Sequence, residues 1–255
     1  MYPVLFWIGN FPIHTYGAMI ALGFVFAIAT ILILGQKEKL DLEKTLDLTF
    51  WLFLVGLVGA RLLYVLTRWQ DYSGDWLGIF KVWEGGLVFF GGPLAALPFG
   101  IWYFKKNKLP AWKTADVLIP ALTINHALGR VGCLGAGCCY GSPTGNDFGI
   151  RLDLAGMDSG LRNTPLHPTQ LYEFVGLMIL FLGLIAVQRF KKFDGQVVLT
   201  YFLVYPILRS IVEVFRGDTI RGFLIEGVLS TSQAISILVF IGAAVVLKRR
   251  LGELK

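Results

Sequence analysis

Charge is scarce in this chain: 16% of its 255 residues are Asp, Glu, Lys or Arg, against roughly 25% in an average soluble domain. Hydrophobic residues supply 55% and the mean hydropathy is +0.65. An ordinary soluble enzyme is excluded. Cysteine is as sparse, and all three residues, Cys133, Cys138 and Cys139, fall within seven positions, so they cannot staple a small disulfide-built fold. Residues 1–14 hold no Lys or Arg, and no small-residue cleavage site precedes the first apolar run; a cleaved signal peptide is not expected there. Repeats of fixed period and low-complexity tracts are missing too.

What is present is apolar sequence in runs of about twenty, the length that crosses ~30 Å of hydrocarbon as helix. Seven spans are expected, at 16–34, 47–67, 87–104, 114–129, 168–188, 196–214 and 229–247, so the predicted fold class is an all-α integral membrane protein, read as one domain over 1–255. The net charge of +6 lies in short clusters between the spans. Topology explains those clusters better than nucleic-acid binding. Connections 35–46, 105–113, 189–195 and 248–255 together hold fourteen Lys and Arg, while the alternate segments hold seven, which predicts a cytoplasmic C-terminus and an outside N-terminus. The longest connection, 130–167, then lies outside as a small ordered cap. Glycine pairs and prolines, as in Gly85-Gly86, Gly91-Gly92-Pro93 and Tyr205-Pro206, predict close packing and broken helices.

Ionisable residues inside apolar sequence cost ~2.5–3.5 kcal/mol each on insertion scales, so they mark function. Arg61, Arg130 and Arg209 qualify. If the sixth span stays helical, Arg209, Glu213 and Arg216 share one face as a ladder, in which one carboxylate faces two guanidiniums. The surplus calls for another acid, such as Glu173, Asp218 or Glu84, or for an anionic ligand; an internal ion-pair network is the structural alternative. Arg130, flanked by Gly129 and Gly132, favours the ligand. Two guanidinium forks suit a phosphate, so the expected ligand is an anionic phospholipid. Arg61 is expected to snorkel or to pair structurally.

On a continuous helix His126, Arg130 and Cys133 would stack on one face, placing an imidazole and a guanidinium beside a thiol. The glycines between 129 and 137 argue against continuity. For the cysteines, four readings stand open: a structural disulfide, a redox or covalent catalytic thiol, zinc held with His126, and buried thiols. Zinc is disfavoured because adjacent Cys138 and Cys139 lack the usual two-residue gap, so no metal is expected. His14 and His167 sit at the outer ends of spans one and five, with Gln170 and Glu173 on a common face behind His167.

Together these segments resemble the prolipoprotein diacylglyceryl transferase family. The resemblance runs through Ile13-His14-Thr15-Tyr16-Gly17, Gly59-Ala60-Arg61-Leu62-Leu63-Tyr64, Trp83-Glu84-Gly85-Gly86-Leu87, the signature Gly129-Arg130-Val131-Gly132 through Gly141, His167-Pro168-Thr169-Gln170-Leu171-Tyr172-Glu173, the series Tyr205, Arg209, Glu213 and Arg216, and residues 229–236. It implies seven membrane helices, an external cap, and a bacterial plasma-membrane enzyme with its site toward the outer leaflet. The implied reaction moves a diacylglyceryl group from phosphatidylglycerol to the lipobox cysteine of a prolipoprotein signal peptide, with membrane lipids as surroundings and no cofactor. Arg130 and Arg209 are the implied essential residues. His126 is the candidate base, Cys133 and Cys138 are candidate thiols, and Tyr16, His14, Gly91, Gly92, Gly129, Glu173, Tyr205, Glu213 and Arg216 are candidate substrate contacts.

Three positions depart from the family pattern: Phe90 stands where members carry His before Gly-Gly, Cys133 where they carry Asn, and Cys138 where they carry Glu. The alternatives are therefore a paralogue with another acceptor, a membrane thiol oxidoreductase using the cysteine cluster, or a lipid-binding protein.

Overall fold

The computed structural model describes residues 2–9, 11–72, 74, 76–81, 85–153, 159–217, 223–225 and 229–253. An antiparallel hairpin, β1 (Val4–Ile8) and β2 (Phe11–His14), precedes α1 (Thr15–Lys37). Then come α2 (Leu42–Thr67), the short α3 (Trp69–Tyr72), α4 (Gly91–Asn107) and α5 (Ala111–Ala136). The strand pair β3 (Ile150–Arg151) and β4 (Pro165–Leu166) leads into α6 (Thr169–Phe190), α7 (Gln196–Val214), the pair β5 (Phe223–Ile225) and β6 (Leu229–Ser230), and α8 (Thr231–Gly252).

Among the described residues six helices, α1, α2, α5, α6, α7 and α8, are long and apolar enough to span a membrane. The chain is a multi-pass, mainly helical membrane protein. The expected span at 87–104 is the exception: α4 has 17 residues, about 26 Å of helix at 1.5 Å per residue, short of the ~30 Å core. The N-terminal hairpin was not expected either, although Gly9-Asn10 between two apolar runs is a hairpin signal. Of the positions expected to break helices, Gly85-Gly86 lies in the loop before α4 and Gly91-Gly92-Pro93 opens α4, whereas Pro206 lies inside α7 without ending it, as Pro98 and Pro120 do in α4 and α5, because neighbouring helices hold a helix together where no water can take the freed backbone groups.

The chain forms two compact units, residues 31–114 and residues 1–30 with 115–255. In the first, α2 and α4 meet through glycine, with Gly91 against the Gly59 carbonyl. Arg61 is buried and does not snorkel: it donates to the carbonyls of Gly78 (2.6 Å), Ile79 (2.9 Å), Gly85 (2.7 Å) and Gly86 (3.0 Å), closing the loop before α4. Gly85 and Gly86 have φ of +89° and +71°, which a side chain would strain.

In the other unit α1 crosses α5 along a row of small residues. A β-carbon on Gly132 would sit 3.1 Å from the Tyr16 α-carbon, and one on Gly135 would sit 3.1 Å from the Thr15 β-carbon. Backbone cannot step aside there. Gly132→Val is expected to cost about 1–3 kcal/mol by overpacking, read as a lower thermal midpoint of the detergent-solubilised protein; an unchanged midpoint would refute the close crossing. Further along, buried Asp116 holds the start of α7, accepting from the backbone N–H of Gly195 (2.8 Å), Val197 (3.0 Å) and Val198 (3.0 Å) and from Lys191 (3.2 Å). A carboxylate at a helix N-terminus satisfies orphan donors and favours the dipole.

Candidate active site

The glycines at 129, 132 and 135 do not interrupt α5, since their job is to admit α1. Continuity puts His126 and Arg130 one turn apart on a shared face. Arg130 Nε and Nη2 approach His126 Nε2 at 3.3 and 3.2 Å. On that side α6 contributes Glu173, fully buried, whose Oε1 lies 3.0 Å from Arg130 Nη2 and 3.6 Å from His126 Nε2. From α7, Tyr205 donates its hydroxyl to the same Oε1 at 3.4 Å. Tyr201, one turn back, stacks on Tyr205 with ring centroids 5.2 Å apart, and the His126 ring meets Tyr205 edge-on at 5.5 Å. Tyr201 was missed by sequence reading, although its i−4 spacing from Tyr205 would have found it.

Arg209, buried on α7, lies 2.5 Å from Glu213 Oε2 through Nη2. Arg209 lies one turn beyond Tyr205 on α7, and Tyr205 is the residue of α7 that meets His126 of α5. The predicted Arg209–Glu213–Arg216 ladder is corrected: α7 ends at Val214, and Arg216 leaves the helix to pair by backbone with Gly141. Glu173 supplies the second acid, so Arg130 and Arg209 each have a carboxylate partner. Glu84 and Asp218, the other two candidates, lie outside the described residues. Net charge therefore no longer demands an anionic ligand. Arg209 Nη1 and Glu173 Oε2 are buried without a hydrogen-bond partner among the described residues, and buried charged groups left unmade cost several kcal/mol. Arg130 keeps an opening, with 16% of its side chain exposed.

The cysteine loop is built by the end of α5. Gly137, at φ +72°, closes the helix with two backbone bonds, Gly137 N–H to Leu134 O at 3.1 Å and Cys138 N–H to Cys133 O at 3.1 Å, the Schellman pattern. Two side chains at the start of α6 fix the next two residues. Buried Gln170 donates to the Cys138 carbonyl and Thr169 to the Cys139 carbonyl, each at 2.7 Å. None of the three cysteines is joined in a disulfide. His167 stands beside this loop, its ring 5.1 Å from Phe215 and its Nδ1 3.1 Å from the Tyr172 hydroxyl.

The remaining candidates are more dispersed. Tyr16, in the first turn of α1, is half exposed, packs on Gly132, and lies within electrostatic reach of Arg130 and all three cysteines. Gly129 receives Ile20 of α1. His14 is the last residue of β2, immediately before α1, where it is exposed and paired with Val4. Gly91 and Gly92 open α4 in the other unit and pack on α2, while Phe90 precedes them with its side chain half exposed.

Comparison with known proteins fits this arrangement. Over 243 residues, 95% of this chain and 93% of the relative, the sequence is 33% identical to a phosphatidylglycerol–prolipoprotein diacylglyceryl transferase of Finegoldia magna. It is 34% identical over 231 residues (90% and 88%) to the second such transferase of Clostridium perfringens, and 32% identical over 254 residues (95% and 87%) to that of Synechocystis. With residues 3–249 matching the description of that family as a whole, the chain belongs to the prolipoprotein diacylglyceryl transferases.

Proposed function

We propose that this protein transfers the diacylglyceryl group of phosphatidylglycerol to the cysteine thiol of a prolipoprotein, releasing glycerol phosphate. The observation that carries the reading is the Nη1 of Arg209, buried without a partner among the described residues, one helical turn from the Tyr205 that meets the His126–Arg130 pair of α5. A guanidinium N–H is a strong donor to phosphate oxygen. The acceptor thiolate attacks the glyceryl carbon that bears the phosphate ester; a C–S bond forms, the C–O bond breaks, and the electron pair leaves on the phosphate. Arg130 and Arg209 take up the charge that develops on that leaving group, the kind of electrostatic stabilisation that is often the largest catalytic contribution. No metal or nucleotide is needed for this balance.

His126 has its Nε2 turned to Arg130, which makes it the group that orients the guanidinium. The proton of the incoming thiol is better placed on Glu173 Oε2, the acceptor without a partner. Tyr205 and Glu213 hold Glu173 and Arg209 in position, and Tyr16 borders the entry beside the cysteine loop. The distribution of Lys and Arg supports an outside N-terminus, a cytoplasmic C-terminus and a pocket open to the outer leaflet of the bacterial plasma membrane, with α4 as a seventh, short crossing.

Reconstituted protein given headgroup-labelled phosphatidylglycerol and a lipobox peptide is expected to release labelled glycerol phosphate and to raise the peptide mass by one diacylglyceryl group. Binding of the lipid without release would leave only a lipid-binding protein, and release without peptide modification would assign a different acceptor.

A further inference from the structure

The cysteines depart from the family pattern, yet they are not scattered. The sulfur atoms of Cys133, Cys138 and Cys139 all lie within 4.8 Å of one another. The chain achieves this without the usual two-residue gap. The turn at Gly137 sends the backbone back over the last turn of α5, and Cys139 takes up a left-handed conformation, φ +65°, which costs a non-glycine residue about 1 kcal/mol or more. Buried Gln170 and Thr169 hold the carbonyls of Cys138 and Cys139, so the conformation is imposed from α6 and is not left to the loop. The objection that adjacent cysteines cannot share one ion was an argument from spacing, and the folded turn removes it.

We propose that Cys133, Cys138 and Cys139 form a three-thiolate site for a soft monovalent metal ion, Cu(I). Thiolate ligands select soft ions, and among the described residues no histidine or carboxylate completes the cluster to the four donors that structural zinc requires. Cu(I) is content with three. With metal–sulfur bonds of about 2.3 Å, sulfurs around a planar three-coordinate ion stand about 4 Å apart, so side chains already within 4.8 Å close on it by small rotations. Binding forms three Cu–S bonds and releases the protons of the thiols still protonated, with no electron transferred. Cys138 is exposed and Cys133 buried, which gives the ion an entry and an anchor. The proposal does not depend on the transfer reaction proposed above.

The test uses the full-length protein in detergent, reduced and under argon, titrated with Cu(I) against bathocuproine disulfonate, a chelator whose Cu(I) complex is coloured. One Cu(I) per chain is expected to be withdrawn from the chelator, and Cu K-edge absorption is expected to show sulfur neighbours only. Cys138→Ser, the exposed position, is expected to weaken retention at least a hundredfold while the protein stays monodisperse on size exclusion. Three results would each overturn the site: Cu(I) left wholly with the chelator, equal uptake by a triple serine variant, or a thiol titration that finds one thiol per chain after reduction. Preferential uptake of Zn(II) with an oxygen or nitrogen neighbour would overturn the assignment to copper. None of these readouts involves lipid transfer.

Discussion

Arg130→Lys is expected to lower the rate of glycerol phosphate release by about 10²–10³-fold, the typical loss when one preorganised donor to a developing oxyanion is removed. The positive charge survives this substitution, so the cause would be geometric. The Arg130 fork spends Nε and Nη2 on His126 and Nη2 on Glu173, and a planar guanidinium with five donors can do this and still present an N–H to phosphate. An ammonium has three donors and no plane. Once it has met Glu173 it cannot also take its direction from the imidazole. Because the lost contact strengthens as the phosphate leaves, kcat should fall more than KM rises. The thermal midpoint should move by only a few degrees, since the ion pair with Glu173 persists. Measured in proteoliposomes of phosphatidylglycerol, a Lys variant within threefold of the parent would show that Arg130 supplies charge alone and that the fork is irrelevant.

How far the site could be read from sequence depended on which physical rule governed each residue. Charge inside apolar sequence is costly wherever the helices go, and that rule located Arg130 and Arg209, along with Arg61, which holds a loop instead; Glu173 entered as one of three possible counter-charges. Helical spacing then paired His126 with Arg130, and the pair is made. The rule misled at the end of α7, where Gly217 follows Arg216 as a stop signal: α7 ends at Val214, and Phe215 and Arg216 pair with the loop at Gly141 and Ser142, a tertiary contact that spacing does not encode. The glycines of α5 misled in the opposite sense: in water they would weaken a helix by about 1 kcal/mol each, but between membrane helices they are contact surface for α1. The convergence of three thiols was invisible for a third reason. It rests on one left-handed cysteine and on two hydrogen bonds from α6, and neither leaves a trace in spacing.

The largest stability effect is expected at Glu173. Glu173→Leu leaves the Arg130 guanidinium buried beside a hydrocarbon side chain, and breaking one half of a buried pair costs about 3–5 kcal/mol. At about 2–4 °C per kcal/mol for a chain of this size, the thermal midpoint should drop by roughly 10 °C or more, and transfer should cease. Removing the second partner as well is expected to restore most of the lost stability. In Arg130→Met/Glu173→Leu no unpaired charge remains, the volumes are roughly kept, and replacing a buried ion pair by apolar groups is often neutral. Activity should not return. That opposition distinguishes the two roles open to the pair: a network whose purpose is to lock α5 to α6 would lose nothing essential when replaced by packing, whereas a phosphate site needs the guanidinium whatever the stability. Double-mutant analysis of thermal midpoints and of glycerol phosphate release decides it. A double variant no more stable than Glu173→Leu alone would mean that the contact at 3.0 Å does not couple the two helices, and a double variant that still transfers lipid would remove Arg130 from the reaction.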